Sequence, residues 1–364
     1  MYKKLGILAI AVLFLAAFLG GCTFADGSKI KEEKAISSDI HSPTMADGKL
    51  KVFFIDCGQG DAILVQSPQG QHMLIDGGPK EEGKNIVGFL QDQGVEKLEV
   101  VVGTHPHSDH IGGLAAIINS FPVEKVYLPR VTHNTDAFAA LLDAVKKQNL
   151  KISTARQGGE IPLAGIKACF LAPIRDDYDE LNNYSAVIRM EHGEKRFIFT
   201  GDAEELSESE MLAGKQKRDA DVLKVGHHGS SSSTSPQFLQ AVAPQYAVIM
   251  CGADNDYGHP HKETLTALEE AGVEVYRTDL DGTVIMTSDG DSINIESLGK
   301  KQDSGKSAAA VQPEAAIRYI GNKNSLKFHR PDCPNLPTEK NRIYFNSRDE
   351  ALNQKFSPCA NCQP

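Results

Sequence analysis

The sequence predicts an α/β domain of roughly 240 residues, followed by a small C-terminal unit stabilised by a metal ion or disulfides. Short apolar runs mixed with helical stretches between Lys51 and Thr287 favour the α/β class. Histidine and aspartate residues stand directly after several of these runs, which indicates a metal site at one edge of a sheet. The residues from Arg318 onward are too few for a self-sufficient apolar core, so a metal or disulfide link is expected there.

The composition limits the classes of protein that need to be considered. The 364 residues are 41% hydrophobic and 24% charged, with 32 Gly, 17 Pro and no Trp. This balance excludes a wholly disordered chain, a collagen and a polytopic membrane protein. The formal net charge of −10 argues against a uniformly basic nucleic-acid-binding protein. Residues 318–364 nevertheless carry 8 Lys and Arg against 4 Asp and Glu, a local excess of +4.

The N-terminus has the pattern of a targeting segment. Lys3 and Lys4 precede an apolar run, Leu5–Gly21, that ends in small residues directly before Cys22. This pattern resembles a bacterial lipoprotein signal, which implies a signal peptide over residues 1–21 and lipidation of Cys22. The alternative is an uncleaved anchor with an incidental cysteine. Either interpretation predicts a protein anchored to the cell membrane at its extracellular face, with residues 22–49 as a flexible tether.

The elements of the main domain follow from residue patterns. Strands are predicted where short aliphatic runs lie between Gly, Pro and Asp turns. These are Lys51–Ile55, Ala62–Val65, His72–Ile75, Leu98–Val102, Val187–Met190, Arg196–Thr200, Asp221–Val225, Tyr246–Met250, Glu274–Thr278 and Thr283–Thr287. Helices are predicted over Asn85–Asp92, Gly113–Ser120 and Asp136–Asn149. Residues 297–316 are rich in Gly, Ser, Lys and Ala and are predicted to be a linker before the unit at 317–364.

The most informative stretch is the turn after the strand Leu98–Val102. His105 and His107 are two residues apart, so in an extended turn both side chains can bind one ion. Asp109 and His110 begin the following helix and face a second ion. Imidazole and carboxylate are the ligands that hold a hydrolytic zinc or manganese ion while leaving a position for water.

Two later segments complete this donor set. Asp202 follows the strand ending at Thr200, and His227 and His228 follow the strand ending at Val225. An aspartate after glycine is often only a turn former. The histidine pair downstream favours a ligand role for Asp202 instead.

Taken together, these motifs resemble the metallo-β-lactamase superfamily, an αββα sandwich with a two-metal site at one edge. More narrowly they resemble the hydrolase-like domain of ComEC-type DNA-uptake proteins, here over residues 50–296. Secreted phosphodiesterases related to phosphorylcholine esterases carry similar motifs. The segments that carry the resemblance are Asp56–Ala62, Leu74–Gly78, Thr104–Gly113, Thr200–Asp202, Lys224–Ser230 and Tyr257–His261.

The resemblance implies two divalent metal ions, zinc or manganese, and a role for each donor. His105 and His107 are expected on metal one, Asp109 and His110 on metal two, and Asp202 between them. His227 is preferred over His228 as the last ligand of metal two, because Gly226-His227 matches the Gly-His of the family motif. Asp109, His228 and His259 are expected at the catalytic centre, and Asp76 is expected to support the ligand loop.

One departure from the superfamily concerns metal one. The superfamily supplies a further histidine between the second motif and the bridging aspartate, and the candidates here are His133 and His192. ComEC-like sequences have asparagine in the corresponding segment, which here reads Leu181-Asn182-Asn183. This predicts that metal one is held weakly, with mixed occupancy or a preference for manganese.

The loop around His259 and His261 is placed over the metals by the resemblance. His259 is therefore expected either to bind a phosphate oxygen or to protonate the leaving group. The segment Ser230–Ser235 either is a mobile loop or donates hydrogen bonds to a phosphate, and Cys57 is interpreted as core filling.

The C-terminal unit has the spacing of a zinc site. His329 and Cys333 form one pair, Cys359 and Cys362 a second pair, and tetrahedral zinc suits this set of four. The unit resembles the zinc-binding domain of the Ada methyl-phosphotriester repair proteins, in which four cysteines hold the metal and the first accepts the methyl group. His329 takes that first position, so the scaffold without the repair activity is expected. Disulfides are the alternative, but three cysteines leave one unpaired.

Three functions compete at this point. The first is a membrane-tethered extracellular metallo-hydrolase that cleaves phosphodiesters, with DNA the first substrate to consider. The second is an esterase of small molecules, such as a phosphocholine ester or a lactone. The third is a non-catalytic lipoprotein that captures a ligand. The complete set of donors argues against the third, because binding alone does not need an open two-metal edge.

Overall fold

The apolar runs of the main domain form two β-sheets that pack face to face. The computed structural model describes residues 48–299, 319–330, 333–345, 351–352, 354–359 and 362. The predicted signal peptide, Cys22 and nearly all of the predicted tether and linker lie outside the described residues. Among the described residues, no helix has both the length and the apolar character needed to cross a membrane.

The strands are numbered in chain order. They are β1 Leu50–Phe54, β2 Ile63–Gln66, β3 His72–Ile75, β4 Leu98–Val102, β5 Val123–Leu128, β6 Ile152–Thr154, β7 Glu160–Ile161, β8 Lys167–Phe170, β9 Ile188–His192, β10 Lys195–Phe199, β11 Val222–Lys224, β12 Tyr246–Ile249, β13 Glu274–Arg277, β14 Val284–Ser288, β15 Ile293–Ser297, β16 Tyr319–Asn322, β17 Lys327–His329, β18 Arg342–Phe345 and β19 Ser357–Pro358.

The α-helices are short, and two of them, α2 and α8, are single turns. They are α1 Gly83–Asp92, α2 Ser108–Ile111, α3 Leu114–Ser120, α4 Asp136–Lys147, α5 Glu205–Ala213, α6 Pro236–Val242, α7 Lys262–Glu270 and α8 Thr278–Asp281. Short 3₁₀ segments occupy Lys80–Glu82, Leu181–Tyr184, Gly226–Gly229 and Glu339–Asn341. Side-chain oxygens of Thr135 and Ser235 accept from backbone N–H groups in the first turns of α4 and α6, which fixes where these helices begin.

The two large sheets have eight and seven strands. The first runs in the order β15-β14-β1-β2-β3-β4-β5-β6, and the second in the order β13-β12-β11-β10-β9-β8-β7. A core that includes Phe54, Val102, Phe199 and Met250 fills the space between them. Helices α1, α3 and α4 cover the outer face of the first sheet, and α5, α6 and α7 cover that of the second. The main domain is therefore an αββα sandwich, as predicted.

The direction of the strands places the polar clusters on one edge. Strands β3 to β6 are parallel to one another, and so are β10 to β13. The residues that follow β3, β4, β10 and β11 therefore emerge on common sheet edges, and the site described below forms there.

The sequence did not predict every element. Strands β5 to β8 and β15, and helices α5 to α7, were not among the predicted elements. Strand β6 is a three-residue edge strand whose Ile152 and Thr154 are exposed, so no apolar run marks it. The C-terminal unit, described by itself, has a four-stranded sheet in the order β18-β16-β17-β19 over a small core of Phe328, Phe345 and Phe356.

Candidate metal centre

Asp202 lies at the centre of the predicted donors. Its Oδ2 atom is 3.1 Å from His110 Nε2, 3.4 Å from His228 Nε2 and 3.8 Å from His105 Nε2. Two donor groups share this carboxylate, and within each the ligand atoms lie within 4.8 Å of one another. One group is His105, His107 and Asp202, and the other is Asp109, His110, Asp202 and His228. The geometry suits two cations that share Asp202.

The paired imidazoles of His110 and His228 fit a bound cation. Nδ1 of His110 lies 2.8 Å from Asp76 Oδ2, and Nδ1 of His228 lies 2.8 Å from the carbonyl oxygen of Met250. Both partners are acceptors, so each Nδ1 carries a proton and each ring turns its Nε2 atom inward. The two Nε2 atoms are 3.2 Å apart. Two lone pairs at that distance need a proton or a metal ion between them.

Asp202 itself has room for such an ion. Its Oδ1 atom is buried without a hydrogen-bond partner. Burial opposes ionisation, but His110 and His228 outweigh it and hold the pKa of Asp202 well below its ordinary value. An ionised, buried carboxylate with an unused oxygen is suited to a cation.

The first pair of histidines is held by the strand end that precedes it. Nε2 of His105 is 2.9 Å from Nδ1 of His107, and the Thr104 hydroxyl is 3.1 Å from Nδ1 of His105. Burial, assisted by the neighbouring His110, lowers the pKa of His105 well below its ordinary value. His105 is therefore a neutral imidazole, the form that binds metal.

The structure corrects the preference for His227 as the last ligand of metal two. Nε2 of His227 is 3.9 Å from Asp202 Oδ2, and its Nδ1 contacts Glu204 Oε1 at 3.4 Å and Ser232 Oγ at 3.1 Å. Of the two histidines, His228 is the buried one and belongs to the donor group. Both residues have left-handed backbone, with φ of 48° and 55°, and this turn carries His228 into the cluster. Such backbone costs about 1–3 kcal/mol per residue, so surrounding contacts must impose it.

Neither histidine considered as an extra ligand of metal one joins the donor group. The His133 ring centroid is 6.3 Å from that of His107, and His192 lies in the β9–β10 hairpin with its Nδ1 3.2 Å from Ser288 Oγ. Asn182 lies next to Glu204 and His227, with its Oδ1 buried and without a hydrogen-bond partner. In the described part of the chain, metal one therefore has three donors of the His, Cys, Asp or Glu type.

Asp76 orients the ligand loop through both of its oxygens. Oδ1 accepts from the backbone N–H of Thr104 at 2.7 Å, and Oδ2 accepts from the Thr104 hydroxyl at 2.7 Å and contacts Nδ1 of His110. Because these contacts use both oxygens, Asp76 supports the ligands rather than offering a free donor. This is the arrangement expected from the sequence.

A buried ion pair behind the donors was not foreseen. Nζ of Lys224 is 2.7 Å from Asp61 Oδ2, donates to the carbonyl of Gly201 at 3.1 Å and lies 3.9 Å from Asp202 Oδ1. Both side chains are almost completely buried. Asp61 Oδ1 is also 3.4 Å from Nδ1 of His228. The pair thus contacts Asp202 and His228 from the side away from solvent. The only sequence signal was a lysine inside an apolar strand run at Val222–Val225.

A cavity of about 280 Å³ opens onto the donors. Its wall includes His227, His259, Tyr257 and His133, together with the exposed side of Asp109. The structure therefore brings the predicted catalytic residues Asp109, His228 and His259 to one cavity. Burial, with the nearby His227 and His228, lowers the pKa of His259 to about 4, so its imidazole is neutral near pH 7. A neutral imidazole donates a hydrogen bond more readily than a proton.

The serine-rich segment after His228 is anchored. Glu208 is buried in α5 and accepts from the backbone N–H groups of Thr234 and Ser235 at 2.5 and 2.8 Å. Ser232 donates to Glu204 at 3.1 Å, which also contacts His227. These contacts favour a fixed support for the two histidines over a loosely held loop.

Metal binding is expected to release about one proton near pH 7. Burial lowers the pKa of His110 and of His228, but Asp202 and further carboxylates outweigh it and raise both well above the ordinary value. The carboxylates therefore favour one proton shared between the two Nε2 atoms before metal binds, and metal affinity should rise with pH until this proton is lost. Calorimetric titration with zinc in two buffers of different ionisation enthalpy measures the release. Heats that do not depend on the buffer would contradict this prediction.

The C-terminal unit gathers a second, separate set of donors. His329, Cys333, Cys359 and Cys362 have ligand atoms within 4.8 Å of one another, and Nδ1 of His329 is 3.3 Å from Cys333 Sγ. No disulfide joins the cysteines of the described residues. One nitrogen and three sulfurs at this spacing fit tetrahedral zinc.

Removing one of these ligands should unfold the C-terminal unit alone. Cys359→Ser is expected to lose one zinc per chain, because three ligands hold the ion much less tightly than four. Atomic absorption and the near-ultraviolet signal of the unit measure this, with Cys169→Ser, a half-buried cysteine of the main domain, as the control. If Cys359→Ser kept its zinc, the four-ligand site would have to be rejected.

Comparison with known proteins identifies the same two regions, the main domain and the C-terminal unit. The sequence pattern described as the Metallo-beta-lactamase superfamily matches residues 55–253, and that described as the metal binding domain of Ada matches residues 309–364. ComE operon protein 3 of Bacillus subtilis is 32% identical over 251 residues, covering 64% of this chain and 32% of that protein. Competence protein ComA of Neisseria gonorrhoeae is 32% identical over 232 residues, covering 63% and 31%.

The chain thus spans about a third of the length of these curated relatives. Among solved structures, it resembles the metallo-beta-lactamase fold protein YhfI of Bacillus subtilis, with a TM-score of 0.45 and 16% identity. That alignment covers 63% of this chain and 96% of YhfI.

Proposed function

Because the chain belongs to the metallo-β-lactamase superfamily, we propose that it is a metal-dependent phosphodiesterase with DNA as its first candidate substrate. We further propose that it is tethered to the outer face of the cell membrane through Cys22. The observation that carries the enzymatic proposal is the Asp202 carboxylate, shared by two donor groups at the base of an open cavity. A ligand-capturing protein would not need that shared, solvent-accessible edge.

The residues around the cavity have separate roles in the proposed reaction. The two donor groups would hold a pair of divalent ions, which would supply a water molecule with a pKa near neutrality and positive charge for the oxygens of a displacement reaction. Asp202 fixes the spacing of the two donor groups, and Asp76 and Met250 orient His110 and His228 through their Nδ1 protons. His259, neutral and facing the cavity, donates a hydrogen bond to a phosphate oxygen. His227, held by Glu204, forms the neighbouring wall.

The choice of a phosphodiester rests on the relatives. One of them is named competence protein ComA, another is named ComE operon protein 3, and recombination protein 2 of Haemophilus influenzae is 28% identical over 252 residues. The local excess of positive charge at 318–364 supports a polyanionic substrate. No separate observation favours the esterase alternative. The substrate panel below distinguishes it from the phosphodiesterase.

The test is one substrate panel with the full chain. Bis-p-nitrophenyl phosphate, a phosphocholine ester, a lactone and single- and double-stranded DNA are each incubated with zinc and with manganese. We expect hydrolysis of the phosphodiesters and not of the lactone. Turnover of the lactone or of the phosphocholine ester alone would replace this proposal by the esterase alternative.

His259→Ala is expected to keep its metal content and to lower kcat/KM by about a hundredfold. If His259 donates a hydrogen bond to the phosphate, kcat/KM should fall equally for diesters with good and with poor leaving groups. If it protonates the leaving group, kcat/KM for the p-nitrophenyl ester should change little, because p-nitrophenolate leaves without a proton. His261→Ala is the matched control, because this neighbouring histidine is engaged by Ser231 and is expected to lose little activity.

The tether is tested separately. Metabolic labelling with a fatty-acid probe should mark the wild type and not Cys22→Ala. Equal labelling of the two proteins would remove the lipid anchor from the proposal.

A further inference from the structure

A second cavity, of about 530 Å³, lies beside the metal centre. We call it the β5–β6 groove, defined by Leu128, Arg130, Val131, Leu142, Ile152 and Tyr184. Its floor is aliphatic, with Ile152 42% and Leu142 38% exposed. A concave, mostly apolar surface of this volume has the size and character of a ligand-binding site.

The topology connects this groove to the metal centre. Strands β4, β5 and β6 are adjacent and parallel, so their carboxyl ends lie on one edge. The metal donors follow β4, Arg130 follows β5 and Arg156 follows β6. Neighbouring strands are about 4.8 Å apart, which puts the two arginines roughly 5 and 10 Å along the edge from the donor strand.

The loop between β5 and α4 forms a wall common to both cavities. Arg130, Val131 and Thr132 line the groove, while His133 and Thr135, further along the same loop, line the metal cavity. A chain-like ligand with a phosphate at the metal donors would therefore pass directly over this loop into the groove.

The rim of the groove carries positive charge. Nη1 of Arg130 and Nη1 of Arg156 lie 3.8 and 3.5 Å from the same oxygen, Oδ2 of Asp176. Two guanidinium groups thus share one carboxylate, which leaves an excess charge of +1. Their side chains are 76% and 54% exposed, so N–H groups remain accessible to a ligand. Guanidinium groups in this setting suit phosphate oxygens.

We propose that the β5–β6 groove binds nucleotides flanking the scissile phosphate of a single-stranded nucleic acid. This inference rests on the proposed phosphodiesterase function. The aliphatic floor offers apolar contact to the faces of bases, which a duplex keeps stacked and paired. The two arginines contact successive phosphates. The combination of apolar floor and cationic rim is the reason for choosing a single strand over a duplex.

The experiment measures binding without turnover. Fluorescence anisotropy follows a labelled DNA single strand of about 12 nucleotides, a length within the site size of single-strand binders, at several salt concentrations. Arg130→Gln/Arg156→Gln should weaken binding about tenfold and reduce the slope of log K against log salt by about 1.4, or about 0.7 per lost phosphate contact. Ile152→Asp should weaken binding as well. Hydrolysis of bis-p-nitrophenyl phosphate, which has no flanking nucleotides, should stay within about twofold of wild type in each variant.

The matched control removes two charges at the opposite ends of the strands. Lys97 precedes β4 and Arg196 is in the first half of β10, and both pair with surface carboxylates. Lys97→Gln/Arg196→Gln should leave the affinity and the salt slope unchanged. An equal loss in this control, an unchanged slope in Arg130→Gln/Arg156→Gln, or equal effects on a DNA duplex would each overturn the proposed groove. Failure of wild type to hydrolyse any phosphodiester would instead reject the proposed function, whatever the anisotropy shows.

Discussion

Asp202→Asn is expected to release at least one of the two ions and to lower kcat for phosphodiester hydrolysis by about a hundredfold or more. The carboxylate Oδ2 stands within 4 Å of three imidazole nitrogens that belong to both donor groups. An amide of the same shape keeps the packing but removes the negative charge that offsets the repulsion between two cations. Metal content by inductively coupled plasma analysis and kcat on bis-p-nitrophenyl phosphate measure the two effects.

The matched control is Asp279→Asn, a half-buried aspartate paired with Arg277 rather than with histidines. It should keep both ions and its activity, with only a loss in thermal stability. If Asp202→Asn retained both ions and near-normal turnover, the shared-carboxylate mechanism would have to be abandoned.

Lys224→Met is expected to destabilise the protein by about 3–5 kcal/mol, because it leaves the Asp61 carboxylate buried without its cation. Burial alone would raise the pKa of Asp61, yet Lys224, the largest opposing contribution, together with the neighbouring histidines lowers it. The lysine also faces the second oxygen of Asp202. We therefore expect the affinity for metal to fall by about 10–100-fold, the usual effect of removing a group that supports ligands.

The double variant Lys224→Met/Asp61→Asn separates the two effects. It removes both charges, so urea unfolding should recover most of the lost stability, whereas metal affinity should remain low because Asp202 and His228 have lost their support. Recovery of metal affinity together with stability would show that Lys224 serves the fold alone. The control is Arg189→Met, which removes another buried cation, here paired with the half-buried Glu191 in β9. It should leave metal binding intact.

Much of the architecture was predictable because the apolar runs are local signals. The central strands β1, β3, β4 and β10 to β12 are aliphatic runs bounded by turn residues, and all were predicted within a residue or two. Strand β5 contains Glu124 and Lys125, and α5 reads Glu-Leu-Ser-Glu-Ser-Glu with no continuous apolar stripe. Such elements are stabilised by their neighbours in the sandwich, so no local pattern reveals them.

In the candidate site, too, some features were predictable from sequence spacing and others depend on tertiary structure. His105, His107, Asp109 and His110 are close in sequence, and Asp202 stands at a strand end, so spacing alone was enough to propose that they meet. Which of His227 and His228 faces the cluster depends on two left-handed residues, a backbone feature that composition does not disclose. The contact between Asp61 and Lys224 joins the two sheets of the sandwich. The lysine within an apolar run marked an unusual position, but nothing in the sequence indicated its partner.

The donors of the metal centre come from both sheets of the sandwich. His105 and His110 follow β4 of the first sheet, while Asp202 and His228 follow β10 and β11 of the second. Bound ions therefore cross-link the two halves of the domain, and neither sheet can separate from the other without losing them. Metal bound only by the folded state adds about 2.7 kcal/mol when its concentration is a hundred times Kd. The melting temperature of this domain should therefore depend on the free metal concentration, and a chelator should lower that temperature.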